Sequence, residues 1–227
     1  MARTNQKLDD IYGVKSERSF FKGMPEGTTS DWVRNKRYHD HFRGYTEVRT
    51  TDEHGHVVIE RYYTSPWTVS GLSERNYWIV RILFALLTLG SGALYIYAMS
   101  QDIPANRHWA VAIPGLPFII FLILLIVRVG IFFAAPRKMT LWDFESSSKK
   151  LRQMALIAAI VEALTGIVMG IYALVTKVQV GQTLLCSFMV IVGAICIAAI
   201  YFIEKRLPYK EVANHTEVPE GEQYKIR

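Results

Sequence analysis

Cysteine is nearly missing from this chain. Cys186 and Cys196 are the only two in 227 residues, and both fall inside one apolar run. Ten residues apart on a helix, they point in different directions, which excludes an intrahelical bridge. They read as small apolar packing residues, with no support for a disulfide framework or a zinc site. Catalytic signatures are missing too. The chain has no glycine-rich phosphate loop, no nucleophile elbow, no metalloprotease helix and no clustered carboxylates in its polar N-terminal stretch, so neither an enzyme nor a cofactor is expected. Acidic side chains thin out toward the C-terminal half: between Ser146 and Ile203, Glu162 is the only one. Met1 to Tyr12 is polar and charged, with none of the apolar stretch of a removable signal peptide, so insertion is expected to use the first long apolar run itself.

Those runs are what the chain has in quantity. Hydrophobic residues make up 51% of it, gathered into Asn76–Ser100, Trp109–Ala134, Gln153–Thr176 and Val180–Ile203. As a helix rising 1.5 Å per residue, each is long enough to cross a hydrocarbon core about 30 Å thick. The expected fold is an all-α integral membrane protein, a bundle of four transmembrane helices over 76–203. A small N-terminal region, 1–75, precedes it, and a mobile tail, 204–227, follows.

Lys and Arg set the expected orientation. Residues 1–75 hold twelve, 135–152 five and the tail five, while the other two connections carry only Arg107 and Lys177. By the positive-inside rule both termini and the middle loop face the cytoplasm of a multi-pass protein of the cell membrane. The Asn214-His215-Thr216 sequon would then meet no glycosylation machinery. The net charge of +6, concentrated on that side, suits contact with anionic lipid headgroups. A nucleic-acid partner would want a focused basic surface or a known module, and neither is visible.

The N-terminal region carries one clear local pattern. Tyr45 to Thr51 alternates, residues 52–56 (Asp-Glu-His-Gly-His) form a turn signal, and Val57 to Thr64 is rich in β-branched and aromatic residues, which predicts a β-hairpin over about 45–64. A lone hairpin is marginal in water, so it must pack on something. Pro66, Trp67, Leu72, Tyr77 and Trp78 look like an interfacial anchor over 66–78. Four of the six histidines, His39, His41, His54 and His56, form two i,i+2 pairs that on strands point the same way; they are weak metal candidates because no cysteine supports them.

Polar residues inside the apolar runs mark where to look for function. In the third run Ala155, Ala159, Glu162, Gly166 and Ala173 share one helical stripe, with Gly166 and Gly170 as a small-xxx-small pair beside it. Arg128 marks the second run, and Arg81, Thr88, Gly92 and Tyr95 line up in the first. Counting rise per residue, Glu162 lies about 13 Å inside its boundary, Arg128 about 9 Å and Arg81 about 5 to 8 Å, all from the same side. These depths predict a polar cluster of Glu162, Arg128, Arg81, Thr88 and Tyr95, with Glu162 paired to Arg128. Pro114 and Pro117 are expected to break the second helix near its outer end.

Two functions compete for that cluster. A buried ion pair that fixes helix or subunit packing makes the chain an accessory, scaffold or assembly subunit in a homo- or hetero-oligomer of membrane proteins. Alternatively, Glu162 is the proton or ion site of a small oligomeric transporter or channel. In layout alone the chain resembles the MARVEL-type and tetraspanin-like plans, without the large cysteine-bearing outer loop of tetraspanins.

Overall fold

The computed structural model describes residues 41–51, 57–218 and 222–225. The chain divides into two compact units, 1–67 with 140–142 and 212–227, and 68–139 with 143–211.

The first unit is built on a three-stranded antiparallel sheet of order β2-β1-β6, with β1 at Tyr45–Thr51, β2 at Val57–Tyr63 and β6 at Glu222–Lys225. Alternating and β-branched residues give the expected hairpin, in a register that sets Tyr45 opposite Tyr63 and Glu47 opposite Arg61. That register lets Arg61 Nε reach Glu47 at 3.0 Å while its guanidinium lies 4.7 Å from the centre of the Phe42 ring. Gly44 precedes β1 at φ 88°, and a Cβ there would stand 2.6 Å from Ser65 Oγ, so only glycine fits this corner. The hairpin packs on aromatic rings: Tyr63 lies against Tyr45 at 5.1 Å and Trp67 at 4.5 Å, and its hydroxyl donates to Pro66 O and accepts from Leu141 N.

The sequence predicts a mobile tail; the structure instead takes two strands from it. β6 pairs with β1 from Thr46↔Lys225 to Arg49↔Glu222. Main-chain hydrogen bonds carry this pairing, and they leave no mark on composition. The sequon Asn214 is also engaged, its amide donating to Tyr63 O and its Oδ1 accepting from Thr216 N at 3.1 Å.

The second unit holds four helices long and apolar enough to cross a membrane. They are α1 (Glu74–Ser100), α2 (Trp109–Ala134), α3 (Lys150–Thr176) and α4 (Val180–Arg206). α3 is led in by a π-helical turn, Glu145–Lys149, and packs mainly on α4 and α2; α1 packs mainly on α4. Ser73 caps α1 by accepting from Asn76 N, and His108 Nδ1 caps α2 by accepting from Ala110 N. Lys177 closes α3 in the left-handed conformation, its N–H bonded to Ala173 O at 3.1 Å.

Pro114 and Pro117 do not break α2, which is continuous through both. They lie in its second and third turns, where few backbone bonds are lost and little helix precedes them to be bent. One end of the bundle is tied by a small sheet of order β4-β3-β5, with β3 at Trp67–Ser70, β4 at Lys138–Met139 and β5 at Tyr209–Val212.

Candidate functional site

Three helices meet at Glu162. The residue is fully buried on α3, and its carboxylate accepts from one side chain, Ser91 of α1, whose Oγ is 3.0 Å from each carboxyl oxygen. The α4 wall is bare backbone: a Cβ on Gly193 would stand 2.4 Å from Glu162 Oε1 and 3.1 Å from Ser91 Oγ. Glycine at 193 is what gives the carboxylate room.

The same α3 stripe makes the close approach to α4. A Cβ on Gly166 would meet Ile191 at 2.8 Å and the Ser187 carbonyl at 3.2 Å, and one on Gly170 would meet Ser187 Oγ at 3.0 Å. Ser187 Oγ donates to Gly166 O at 2.7 Å, filling the groove that the two glycines open. Ala155, Ala159 and Ala173 are buried along this stripe.

The structure separates the residues expected to cluster with Glu162. Thr88 returns its hydroxyl to Phe84 O of its own helix at 2.8 Å. Tyr95 donates to Gly115 O of α2 at 2.7 Å. Arg81 donates to Ala135 O at the end of α2 and stacks on Tyr77, 4.2 Å from the ring centre. The predicted pairing of Glu162 with Arg128 is not formed: among the described residues no ion pair joins them, and no hydrogen bond, ion pair or ring contact reaches Arg128. The reason is angular. α2 buries Val111, Gly115, Phe118, Leu122, Leu125, Val129 and Phe132, and Arg128 stands half-buried beside that stripe instead of on it. Matching depth was not enough to bring the charges together.

Sequence reasoning missed Ser91, although it lies one turn from both Thr88 and Tyr95 and next to Gly92. It also missed a second buried carboxylate. Glu204, near the end of α4, is 3% exposed; its Oε1 accepts from Ser148 Oγ, and its Oε2 lies 3.8 Å from Arg152 Nε. Ser148 in turn shares a hydrogen bond of 2.8 Å with the Tyr209 hydroxyl. Burial pushes that phenol well above the usual tyrosine value. The available signal was Ser146-Ser147-Ser148, three buried serines in the π-helical turn opposite Glu204.

A cavity of about 160 Å³ lies between α1 and α2 at the end opposite the small sheet, lined by Tyr95, Asn106, Gly115 and apolar neighbours. Asn106 donates through Nδ2 to the carbonyls of Ala98, Met99 and Gln101, closing the end of α1, while its Oδ1 is buried without a partner. Among the described residues no three His, Cys, Asp or Glu side chains come together as a metal site. His39, His54 and His56 lie outside the described residues, and His41 packs its ring on Phe42 and Trp142. Compared with known proteins, the chain matches no family, no curated protein and no solved structure.

Proposed function

We propose that the chain is an integral membrane accessory, scaffold or assembly subunit of a larger membrane complex, with both termini in the cytoplasm. The observation that supports this reading is Arg128: a guanidinium inside an apolar helix, flanked by exposed Val127 and Ile131, with no hydrogen-bond, ion-pair or ring partner among the described residues. Such a charge is costly in lipid unless it is paired, and a carboxylate on a neighbouring subunit supplies the pair. Arg137, Lys138, Lys149 and Lys150, at the same end of the bundle, favour anionic headgroups around the contact. The test is native mass measurement of the protein purified in mild detergent from its own membrane. A companion is expected with the wild type and lost from Arg128→Leu, which still inserts and folds. A lone monomer in both cases defeats the reading.

A second reading, a small transporter or channel using Glu162 as a proton or ion site, draws on a different observation. A fully buried carboxylate with one hydroxyl donor and, among the described residues, no cation paired with it is an incomplete set of partners.

A further inference from the structure

We infer that Glu162 binds a proton that reaches it from one end of the bundle only, the end where α1 stops and α2 starts, through the cavity lined by Tyr95 and Asn106. This inference rests on the second reading above, that Glu162 is an ion site.

The groups facing Glu162 decide the ligand. α1 contributes Ser91, with a single hydroxyl hydrogen for two carboxyl oxygens, and one turn further on Tyr95, whose hydroxyl donates to Gly115 O of α2. α3 itself offers Thr165 one turn on, whose hydroxyl donates to Val161 O. α4 offers the backbone of Gly193, and α2 faces this level with Leu122, which lies against Gly92. Among the described residues no Lys, Arg or His forms an ion pair with Glu162. A proton on one carboxyl oxygen completes the site, leaving the other to accept from Ser91. A metal ion in contact with these groups would find only the two carboxyl oxygens and one hydroxyl, too few for a hard cation.

Access is unequal at the two ends. On the side of the α1–α2 connection, the next turn carries Tyr95, and a Cβ on Gly115 would meet Tyr95 Oη at 2.9 Å and Thr165 Cγ2 at 3.6 Å, so these three residues converge one turn from Glu162. Tyr95 and Gly115 also line the cavity, where Asn106 Oδ1 stands as a buried acceptor without a partner. The cavity is bounded by Leu116 and Ile119, both exposed on the bundle surface. The Tyr95 hydroxyl, which donates across the helices to the Gly115 carbonyl, and the unpartnered amide oxygen of Asn106 mark a route for a hydrated proton. Toward the other end, Thr88 spends its hydroxyl on its own helix, and Phe84, Leu125 and Ile197 are fully buried apolar side chains; Tyr77 Oη and Arg81 Nε, buried without a partner, lie beyond them toward the helix ends, Tyr77 against Phe132. That layer separates Glu162 from Glu204.

The test uses the full chain in lipid vesicles, with orientation read from protease access to the tail and the pH set separately on each side. Dicyclohexylcarbodiimide adds to a protonated carboxyl within a bilayer, and the adduct on the Glu162 peptide is counted by mass spectrometry. In parallel, the infrared carbonyl band of a protonated carboxyl is compared between wild type and Glu162→Gln, which keeps a partner for Ser91. The expected result is an infrared band lost in Glu162→Gln, and an adduct that falls severalfold when pH is raised on the α1–α2 side but holds when only the other side is raised. Tyr95→Phe is expected to slow adduct formation severalfold without removing the band. No difference in the infrared band at any pH defeats the ion-site reading itself. A band with an adduct that follows the opposite side or both sides, or with no adduct, overturns the one-sided route while the ion-site reading stands. Suppression of the band by sodium overturns the proton as ligand.

Discussion

The bundle buries two carboxylates and serves them unequally. Glu204 sits near the end of α4, where Ser148 donates to it, Tyr209 backs Ser148, and the half-exposed Arg152 approaches its second oxygen. Glu162 lies at mid-bundle with Ser91 alone and the bare backbone of Gly193. Close to the helix ends a long cationic side chain can reach inward while keeping contact with water. At the centre, among the described residues, none pairs with the acid, which is accommodated by leaving out atoms around it. Position along the helix decides whether a buried acid is compensated by charge or by space.

The largest effect is expected where that space is filled. Gly193→Ala pushes a methyl into Glu162 Oε1 and should cost about 2 to 3 kcal/mol in unfolding free energy in detergent micelles, as overpacking does. Adding Glu162→Ala should recover most of the loss. If Gly193→Ala alone is silent, the carboxylate does not rest against α4. Removing the single donors comes next. Ser91→Ala and Ser148→Ala each strip a buried carboxyl of its hydroxyl, at a cost of about 1 to 3 kcal/mol. Ser91→Ala should be the more damaging of the two, because Glu204 keeps Arg152; equal losses in denaturant melts would erase the distinction between the sites.

Tyr209→Phe should have the smallest effect, about 1 kcal/mol at neutral pH for one hydrogen bond. Its signature lies in alkali. The Tyr209 proton is held more tightly in the folded chain than in the unfolded one, so its contribution is whole below about pH 10 and is lost as pH rises beyond that value. Wild type should therefore lose stability above about pH 10 more steeply than Tyr209→Phe, measured as melting temperature against pH. Parallel curves would show that the phenol is not shielded.

How far the sequence carried this picture depends on which atoms hold each part together. The four long helices were legible because lipid-length apolar runs are hard to hide, and the hairpin because alternation and a turn coincide. β4, β5 and β6 were not. They are held by main-chain pairing, two residues long in the case of β4, and side-chain pattern says little about that. At the site, Glu162 announced itself as the lone acid of its stretch. Its partner did not, since Ser91 is a small residue in a helix where small residues have many uses. Glu204 hid among the charges at a helix end, beside Lys205 and Arg206, where acids are ordinarily solvated. Arg128 was placed at the right depth and the wrong azimuth, because rise per residue fixes depth while azimuth depends on which neighbours the helix meets.

The small sheet at one end of the bundle acts as a truss. β3 leads into α1, β4 follows α2 and β5 follows α4, and the three are laced side by side, with Gly71 N bonded to Pro208 O and Ser70 N to Arg137 O. A pull applied where β5 leaves the bundle is shared at once by the start of α1 and the end of α2. Those three helix ends are joined through main-chain bonds, whereas α3, which lends no strand to the truss, is joined to it through side chains of its lead-in turn: Ser147 to Met139 of β4, and Ser148 to Tyr209 of β5.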